Sequence, residues 1–592
     1  MGRTEGTKCM VPINGKTLIE YTIESLVANN ISKLVMVIGY KGNVLKNFIS
    51  EKFNSSNLNG MKIEYIENPV YDKTNNIYSL FLAKEELAND DTLLLESDLI
   101  FKPSIISNLI KSKDKNLAVV SHFESWMDGT CTLLDNKNEI TGILDKSHFN
   151  WNDIDQYYKT VNIYKFSKDF SANFYIPFLE AYQKAFGKNE YYEQVLKVLS
   201  FLSVTSLKGF VVSGEDWYEI DDPADLSIAE NKFADTKEKI SLLQKRYGGY
   251  WRFPQIKDFC YLVNPYFPPK QLVSELTSSF QTLLTSYPSG ASQESLLAGK
   301  IFNVLPEHIA VGNGAAELIS SLGKTVEGTV AIPYPTFNEY PERFAGAKTV
   351  PVSVDKNFSY SVDDILSTVK SANANYVLLI NPDNPSGHFF SKDDVLRLCK
   401  ELSSLSATLI FDESFIDFAD SPKRYTLIDE KILDENKNLL VIKSISKSYG
   451  VPGLRLGVLA SSNNSFVSII KKTNAIWNIN SFAEYFLQIY DKYKKLYISA
   501  CDSIVEERNR FIFELNKFKE LEVFPSEANY LMCRLTGKVS ATELTETLLS
   551  KYNIFIKDLS SKKCFENGMY IRIAVRDKAD DDMLVKALGE IF

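Results

Sequence analysis

The stretch SISKSYGVPGLRLG, residues 444–457, decides how this chain is read. It continues the apolar run LLVIK, so Lys447 comes directly after a strand, where a side chain is aimed above a sheet edge. Arg455 lies eight residues on, in a turn loosened by Gly450 and Gly453, and a guanidinium there can fork onto phosphate oxygens. Ser444 is placed to add a hydroxyl. An electron-sink cofactor such as pyridoxal phosphate needs a lysine, a carboxylate for its pyridinium nitrogen and a cup for its phosphate. Asp412 ends the apolar strand ATLIF, where a buried carboxylate is costly without a cationic partner; a pyridinium is such a partner. GNGAAE (312–317) follows a strand and opens a helix, so its free backbone N–H groups make an anion site.

Outward from this stretch, strand-like runs alternate with helical patterns throughout the 592 residues, the mark of α/β architecture. HIAVGNG, TVAIPYP, YVLLINPDNPSG and ATLIFDES each end in a polar or glycine-bearing loop, where ligands of open parallel sheets bind. An earlier series, KLVMVIGY (33–40), KIEYIEN (62–68), TLLLESDLIF (92–101) and NLAVVSHF (116–123), belongs to a separate half. Between them AENKFADTKEKISLLQKRY is charged and helical. The expected domains are therefore 1–232, a helical linker 233–248, and 249–592. A chain this long exceeds one ordinary core. Its hydrophobic fraction of 45% and charged fraction of 24% are those of a globular protein. A net charge of −9 without a basic stripe argues against nucleic-acid binding. No apolar run approaches ~18 residues, so no membrane span is expected. The N-terminus lacks a signal-peptide core. Seven scattered cysteines and four histidines read as reduced cytoplasmic thiols, not a disulfide framework or zinc site.

With SYP (286–288), YPTF (334–337), NPDNPSG (381–387), FDESF (411–415) and YIRIAV (570–575), the second half resembles the fold-type I pyridoxal-phosphate aminotransferases. The similarity is strongest to the branch holding histidinol-phosphate aminotransferase and threonine-phosphate decarboxylase. The resemblance implies Lys447 as the Schiff-base lysine and Asp412 as the pyridinium partner. It implies Asn384 on the phenolic oxygen and Phe337 stacked on the ring. Ala315, Ala316, Ser444 and Arg455 would hold the phosphate, joined by Tyr287 of a second subunit, which implies a homodimer. Arg572 would grip a substrate carboxylate. Phe415 stands where most such transaminases carry a tyrosine; decarboxylase relatives can carry phenylalanine there.

In the first half, EGTKCMVPINGK puts Lys8 ahead of an apolar segment, where it can neutralise a triphosphate. LLLESDLIF presents Glu96 and Asp98, and WYEIDDPADL presents Glu219, Asp221 and Asp222. Two carboxylates from separate strands, with triphosphate oxygens, make a magnesium site. With NNIYSLFLAKEELAN (75–89), this half looks like the sugar-nucleotide-type nucleotidyltransferases, particularly phosphocholine cytidylyltransferase. That resemblance implies Lys8 on the triphosphate, Asp98 and Asp221 on Mg²⁺, Asn76 and Ser79 on the nucleotide, and Lys146 on the acceptor's phosphate. The family opens with a strand and an LAAGxGxR loop, whereas this chain starts at MGRTEGTK; the expectation is that the natural chain begins further upstream.

Together the halves resemble the bifunctional 2-aminoethylphosphonate cytidylyltransferases fused to a transaminase. The implied reactions are phosphonoacetaldehyde plus an amino-acid donor giving 2-aminoethylphosphonate, then CTP giving CMP-aminoethylphosphonate and pyrophosphate. The alternative is a phosphocholine or phosphoethanolamine cytidylyltransferase joined to an aminotransferase or a decarboxylase-like domain. In FESWMDGT (123–130), Asp128 and Glu124 suit a primary ammonium, while Trp126 keeps open an aromatic contact to a quaternary one; the stretch leans towards the primary amine without deciding.

Overall fold

The structure, a computed structural model, describes residues 6–144, 148–202, 206–565 and 567–592. It divides into two compact units, residues 1–247 and 248–592. The charged segment before the boundary forms two helices, Pro223–Phe233 and Thr236–Arg246. Asp235 caps the second, its side chain accepting from the Glu238 N–H. That helix ends inside the first unit.

The first unit is built on a six-stranded mixed sheet. Its longest strand, Tyr158–Phe166, pairs antiparallel with Leu117–His122, Cys131–Leu134 and Thr92–Leu95. Lys208–Val212 joins the far side of Leu117–His122 in parallel. Lys33–Ile38 and Lys62–Glu67 form a separate parallel pair. The run 92–101, expected as one strand, is two: Thr92–Leu95 stays in the sheet, while Leu99–Phe101 pairs with Trp217–Glu219. The break falls at Glu96–Asp98, where the backbone turns and three acidic side chains gather.

The second unit holds a seven-stranded sheet in the order Ile309–Asn313, Leu456–Ala460, Leu439–Ser444, Thr408–Asp412, Tyr376–Ile380, Gly328–Pro333, Ala347–Val352. All pairings are parallel except those of Leu456–Ala460, antiparallel to both neighbours. Both faces are covered. Leu409 and Phe411 point into one apolar cluster, Ile410 into another, as the two-residue period of a strand requires. That explains why these strands read as continuous apolar runs. A smaller four-stranded antiparallel sheet, with Tyr530–Leu535 and Tyr570–Ala574 at its centre, packs under the helices Ala541–Tyr552 and Lys578–Ile591.

Candidate active sites

In the second unit, the carboxyl ends of the strands gather the residues that the sequence singles out. Lys447 lies in the short helical turn Ile445–Ser448 after strand Leu439–Ser444. Its Nζ lies 5.3 Å from the ring centre of Phe337 and 4.5 Å from that of Phe415. It makes no ion pair among the described residues. Burial, reinforced by Arg572 and Arg455 and opposed by Asp412, pushes its amine down to about 8. An amine whose pKa is lowered towards neutrality, set between two aromatic faces, suits an aldehyde cofactor with a flat ring.

Asp412 ends its strand 5% exposed. Its Oδ1 accepts from the Ser414 N–H at 2.9 Å, and its Oδ2 accepts from the Tyr340 hydroxyl at 2.7 Å. Asn384 Oδ1 accepts from Arg572 Nη1 at 2.8 Å, and Arg572 Nη2 donates to the Cys260 carbonyl at 2.6 Å.

The helix Gly314–Gly323 puts Ala315 and Ala316 in its first turn, where backbone N–H groups lack intrahelical acceptors. Gly314 has φ +74°, and a Cβ there would stand 2.6 Å from Arg455 Nη2. A Cβ on Gly457 would stand 2.4 Å from the Ala315 nitrogen. Arg455 and the helix start therefore close on each other in a cradle that only glycines permit, and this fits a phosphate. Ser444, 5% exposed, sits at the strand end beside it. Tyr287 lies outside the pocket, 80% exposed and stacked on Trp477.

In the first unit, Lys8 Nζ sits between Asp98 Oδ2 and Asp221 Oδ1, 2.7 Å from each. These residues, 90 and 213 positions from Lys8, thus meet at one point. Burial works against the ammonium's charge, but the two carboxylates raise its pKa overall. Ligand oxygens of Glu96, Asp98 and Glu219 lie within 4.8 Å of one another, a hard-oxygen set that fits Mg²⁺. Asn76 Nδ2 donates to Glu96 Oε1 at 3.1 Å, and Ser79 Oγ accepts from Asn68 at 3.2 Å. Burial, with Glu193 nearby, pushes the Glu96 carboxyl up to about 8. Asp128 is exposed, its Oδ1 accepting from the Gly129 N–H. Lys146 lies outside the described residues.

Several residues here were not singled out from sequence. Tyr340, in FNEYPERF, looks like any core tyrosine. Lys159 and Asn162, on the strand Tyr158–Phe166, bond Glu219, and Asn162 also bonds Glu96. Glu193 opens a helix without a motif. Their only sequence signal is a polar residue inside an apolar run, as with Lys159 and Asn162 in YKTVNIYKF.

A mixed α/β sheet with a lysine, an aspartate and a glycine-lined phosphate cradle at its strand ends defines a pyridoxal-phosphate enzyme of fold type I. The chain belongs to the aminotransferase class I and II family, which residues 264–588 match, and residues 1–139 match the MobA-like NTP transferase domain. It is an enzyme joining a nucleotidyltransferase domain to a fold-type I aminotransferase domain. A CMP-5'-(3-aminopropyl)phosphonate synthase from Streptomyces rubellomurinus is 29% identical across 99% of this chain and 91% of its own length. An L-serine phosphate decarboxylase from Campylobacter jejuni is 31% identical, over 57% of this chain and 88% of the relative. The solved structure of a decarboxylase from Sulfurospirillum multivorans matches with TM-score 0.53 and 30% identity, over 58% of this chain and 90% of that one.

Proposed function

We propose that the chain makes a CMP-linked small primary amine in two steps, one in each unit. The second unit yields a small amine bearing a phosphonate or phosphate. In the first unit an oxygen of that group attacks the α-phosphorus of CTP, and pyrophosphate leaves. Asp98 and Asp221 would hold Mg²⁺ there, supplying charge to the leaving pyrophosphate, while Lys8 moves from the carboxylates onto the triphosphate. Asn76 and Ser79 would face the nucleotide, and Lys146 the acceptor's anionic group. The observation that carries the reading is a relative matching both units end to end, whose name is that of a CMP-5'-(3-aminopropyl)phosphonate synthase.

Pyridoxal phosphate, when bound, supplies an electron sink for the amine-forming step. Lys447 would anchor it and move the proton, Asp412 would keep its ring nitrogen protonated, and Asn384 would bond its phenolic oxygen. Phe337 would stack on its ring. Ala315, Ala316, Ser444 and Arg455 would cradle its phosphate, with Arg572 taking a substrate carboxylate. Transamination of phosphonoacetaldehyde by an amino-acid donor would give 2-aminoethylphosphonate. A specific observation favours a second reading, loss of CO₂ from a phosphorylated amino acid. Phe415 presents a bare ring 4.5 Å from Lys447 Nζ, with no phenol for the cofactor, and the second unit is 31% identical to L-serine phosphate decarboxylases. That route would give phosphoethanolamine.

Both products are primary amines. Trp126 has one face stacked on Tyr218 at 4.7 Å and donates its indole N–H to Glu124 Oε2 at 2.7 Å, so it is poorly disposed to form a cage for a quaternary ammonium. A second copy of the chain would cover the apolar patch of Phe280, Leu284, Tyr287, Ile476 and Trp477 and bring Tyr287 to its partner's cradle.

The test is a substrate panel on the full chain. CTP and Mg²⁺ are supplied with 2-aminoethylphosphonate, phosphoethanolamine or phosphocholine, and pyrophosphate is followed. CO₂ release from O-phospho-L-serine is compared with amine formation from phosphonoacetaldehyde. A primary-amine acceptor should exceed phosphocholine at least tenfold in kcat/KM, about 1.4 kcal/mol. Equal use of the acceptors would overturn the amine assignment. Absence of pyrophosphate with every acceptor would overturn the nucleotidyl step.

A further inference from the structure

Beside the pyridoxal-phosphate pocket lies a group of cations that its chemistry does not explain. Lys562 reaches back from the loop after strand Lys557–Asp558 to the segment flanking Phe337. Its Nζ donates to the Thr336 carbonyl at 2.6 Å and to Asn338 Oδ1 at 2.9 Å. With Tyr334, Pro341, Glu342 and Lys563 these residues line a cleft of about 140 Å³. Arg572 and Lys557 stand close enough for their charges to bear on Lys562. Neither Lys562 nor Lys557 is ion-paired among the described residues. The buried acid on this side, Asp383, accepts from the Ser386 hydroxyl at 2.6 Å and leaves its Oδ1 without a partner. Thr336 Oγ1 and Arg572 Nε are likewise buried and unpartnered.

Burial and the neighbouring Arg572 and Lys557 push the Lys562 amine down to about 7, and burial pushes the Asp383 carboxyl up to about 7. Half-buried Lys562, Lys557 and Arg572 gather positive charge that Glu342 and Asp383 offset only in part, beside the unpartnered Thr336 Oγ1 and Arg572 Nε. An incoming anion relieves it. Arg572 is the expected carboxylate grip, so a second anion needs its own cation.

We propose that Lys562, assisted by Lys557, is the subsite for the phosphate or phosphonate at the far end of the second unit's substrate. The inference rests on the phosphorylated or phosphonate substrate class proposed above and assigns the residue that selects it. A dianion on Lys562 would exchange the contacts to Thr336 and Asn338 for charge-assisted bonds, which are stronger than those to neutral acceptors. A substrate that lacks this group would leave Lys562 where it is and gain nothing from it.

The test is binding to the holoenzyme, read from the change in the cofactor's visible absorbance, with O-phospho-L-serine and L-serine as probes. The wild-type chain should bind the phosphorylated probe at least tenfold more tightly. Lys562→Met should bring that ratio below threefold while leaving L-serine binding unchanged, and Lys562→Arg should restore most of it. If Lys562→Met does not fold, Lys557→Met is read the same way and should lower the ratio. A ratio that survives Lys562→Met overturns the inference, as does equal weakening of both probes, which marks a structural tie of the loop. A wild-type chain that binds both probes alike overturns the proposed substrate class itself.

Discussion

The Tyr340 hydroxyl gives the sharpest single-atom perturbation of the pyridoxal-phosphate pocket. Tyr340→Phe removes one oxygen and keeps the ring between Phe337 and Phe344, whose centres lie 6.4 and 5.9 Å away. The lost interaction is the 2.7 Å bond to Asp412 Oδ2, between a fully buried tyrosine and an aspartate 5% exposed. Hydrogen bonds to a charged group contribute about 1.5–3 kcal/mol. At ~1.4 kcal/mol per factor of ten, that is a loss of roughly 10- to 150-fold. Asp412 keeps the Ser414 N–H at 2.9 Å, so it stays in place but loses one of its two donors. The expected result is a cofactor dissociation constant raised about tenfold and a kcat/KM for the second unit lowered within that range. Apoenzyme is titrated with pyridoxal phosphate by absorbance, and turnover is measured at saturating cofactor. Affinity and turnover within twofold of wild type, with or without a lower Tm, would refute the view that Tyr340 orients the carboxylate.

Lys447→Ala should abolish the cofactor's visible absorbance. In the wild-type apoenzyme the rate of cofactor capture should rise with pH and level off above about 8, because below that value the amine is protonated and above it is free; a midpoint near 10 would contradict this. Asp98→Ala and Asp221→Ala should each abolish pyrophosphate release while leaving the second unit's reaction within about twofold, and joint loss of both activities with folding intact would point to one shared site. Gly457→Ala drives a methyl to 2.4 Å from the Ala315 nitrogen, an overpacking worth about 1–3 kcal/mol, so cofactor affinity and Tm should fall together. Unchanged affinity would show that the cradle can relax.

What was readable in the sequence was whatever chemistry requires to be local. Lys447 and Arg455 share one short connection, and Gly450 within it and Gly457 just after it stand where another stretch of backbone comes too close for a side chain. The strands of the larger sheet were readable because burial on both faces leaves unbroken apolar runs. The antiparallel course of Leu456–Ala460 was not, since an apolar pentapeptide carries no sign of direction. Tyr340, Lys562 and Asn162 were missed for another reason. Each meets its partner only through the tertiary fold, 72 positions away for Tyr340 and 226 for Lys562, and each lies in a segment that packing alone would explain. The turn at Glu96–Asp98 was hidden because its flanks, LLL and LIF, read as one strand.

The antiparallel strand has a consequence for how the pocket comes into being. Leu439–Ser444 and Leu456–Ala460 are joined by eleven residues, and Ser444 lies directly opposite Gly457, so the ladder is tied right up to the mouth of the connection. Lys447 and Arg455 both ride on that short, clamped loop. Bringing its ends together requires closing only a small ring, a modest entropic demand compared with assembling the same two groups from distant parts of the chain. Asp412 and the glycine-led helix start then dock from the strands on either side of that pair. Two side chains of the candidate pocket are therefore brought together by a local hairpin, and their spacing is fixed as soon as that hairpin finds its place in the sheet.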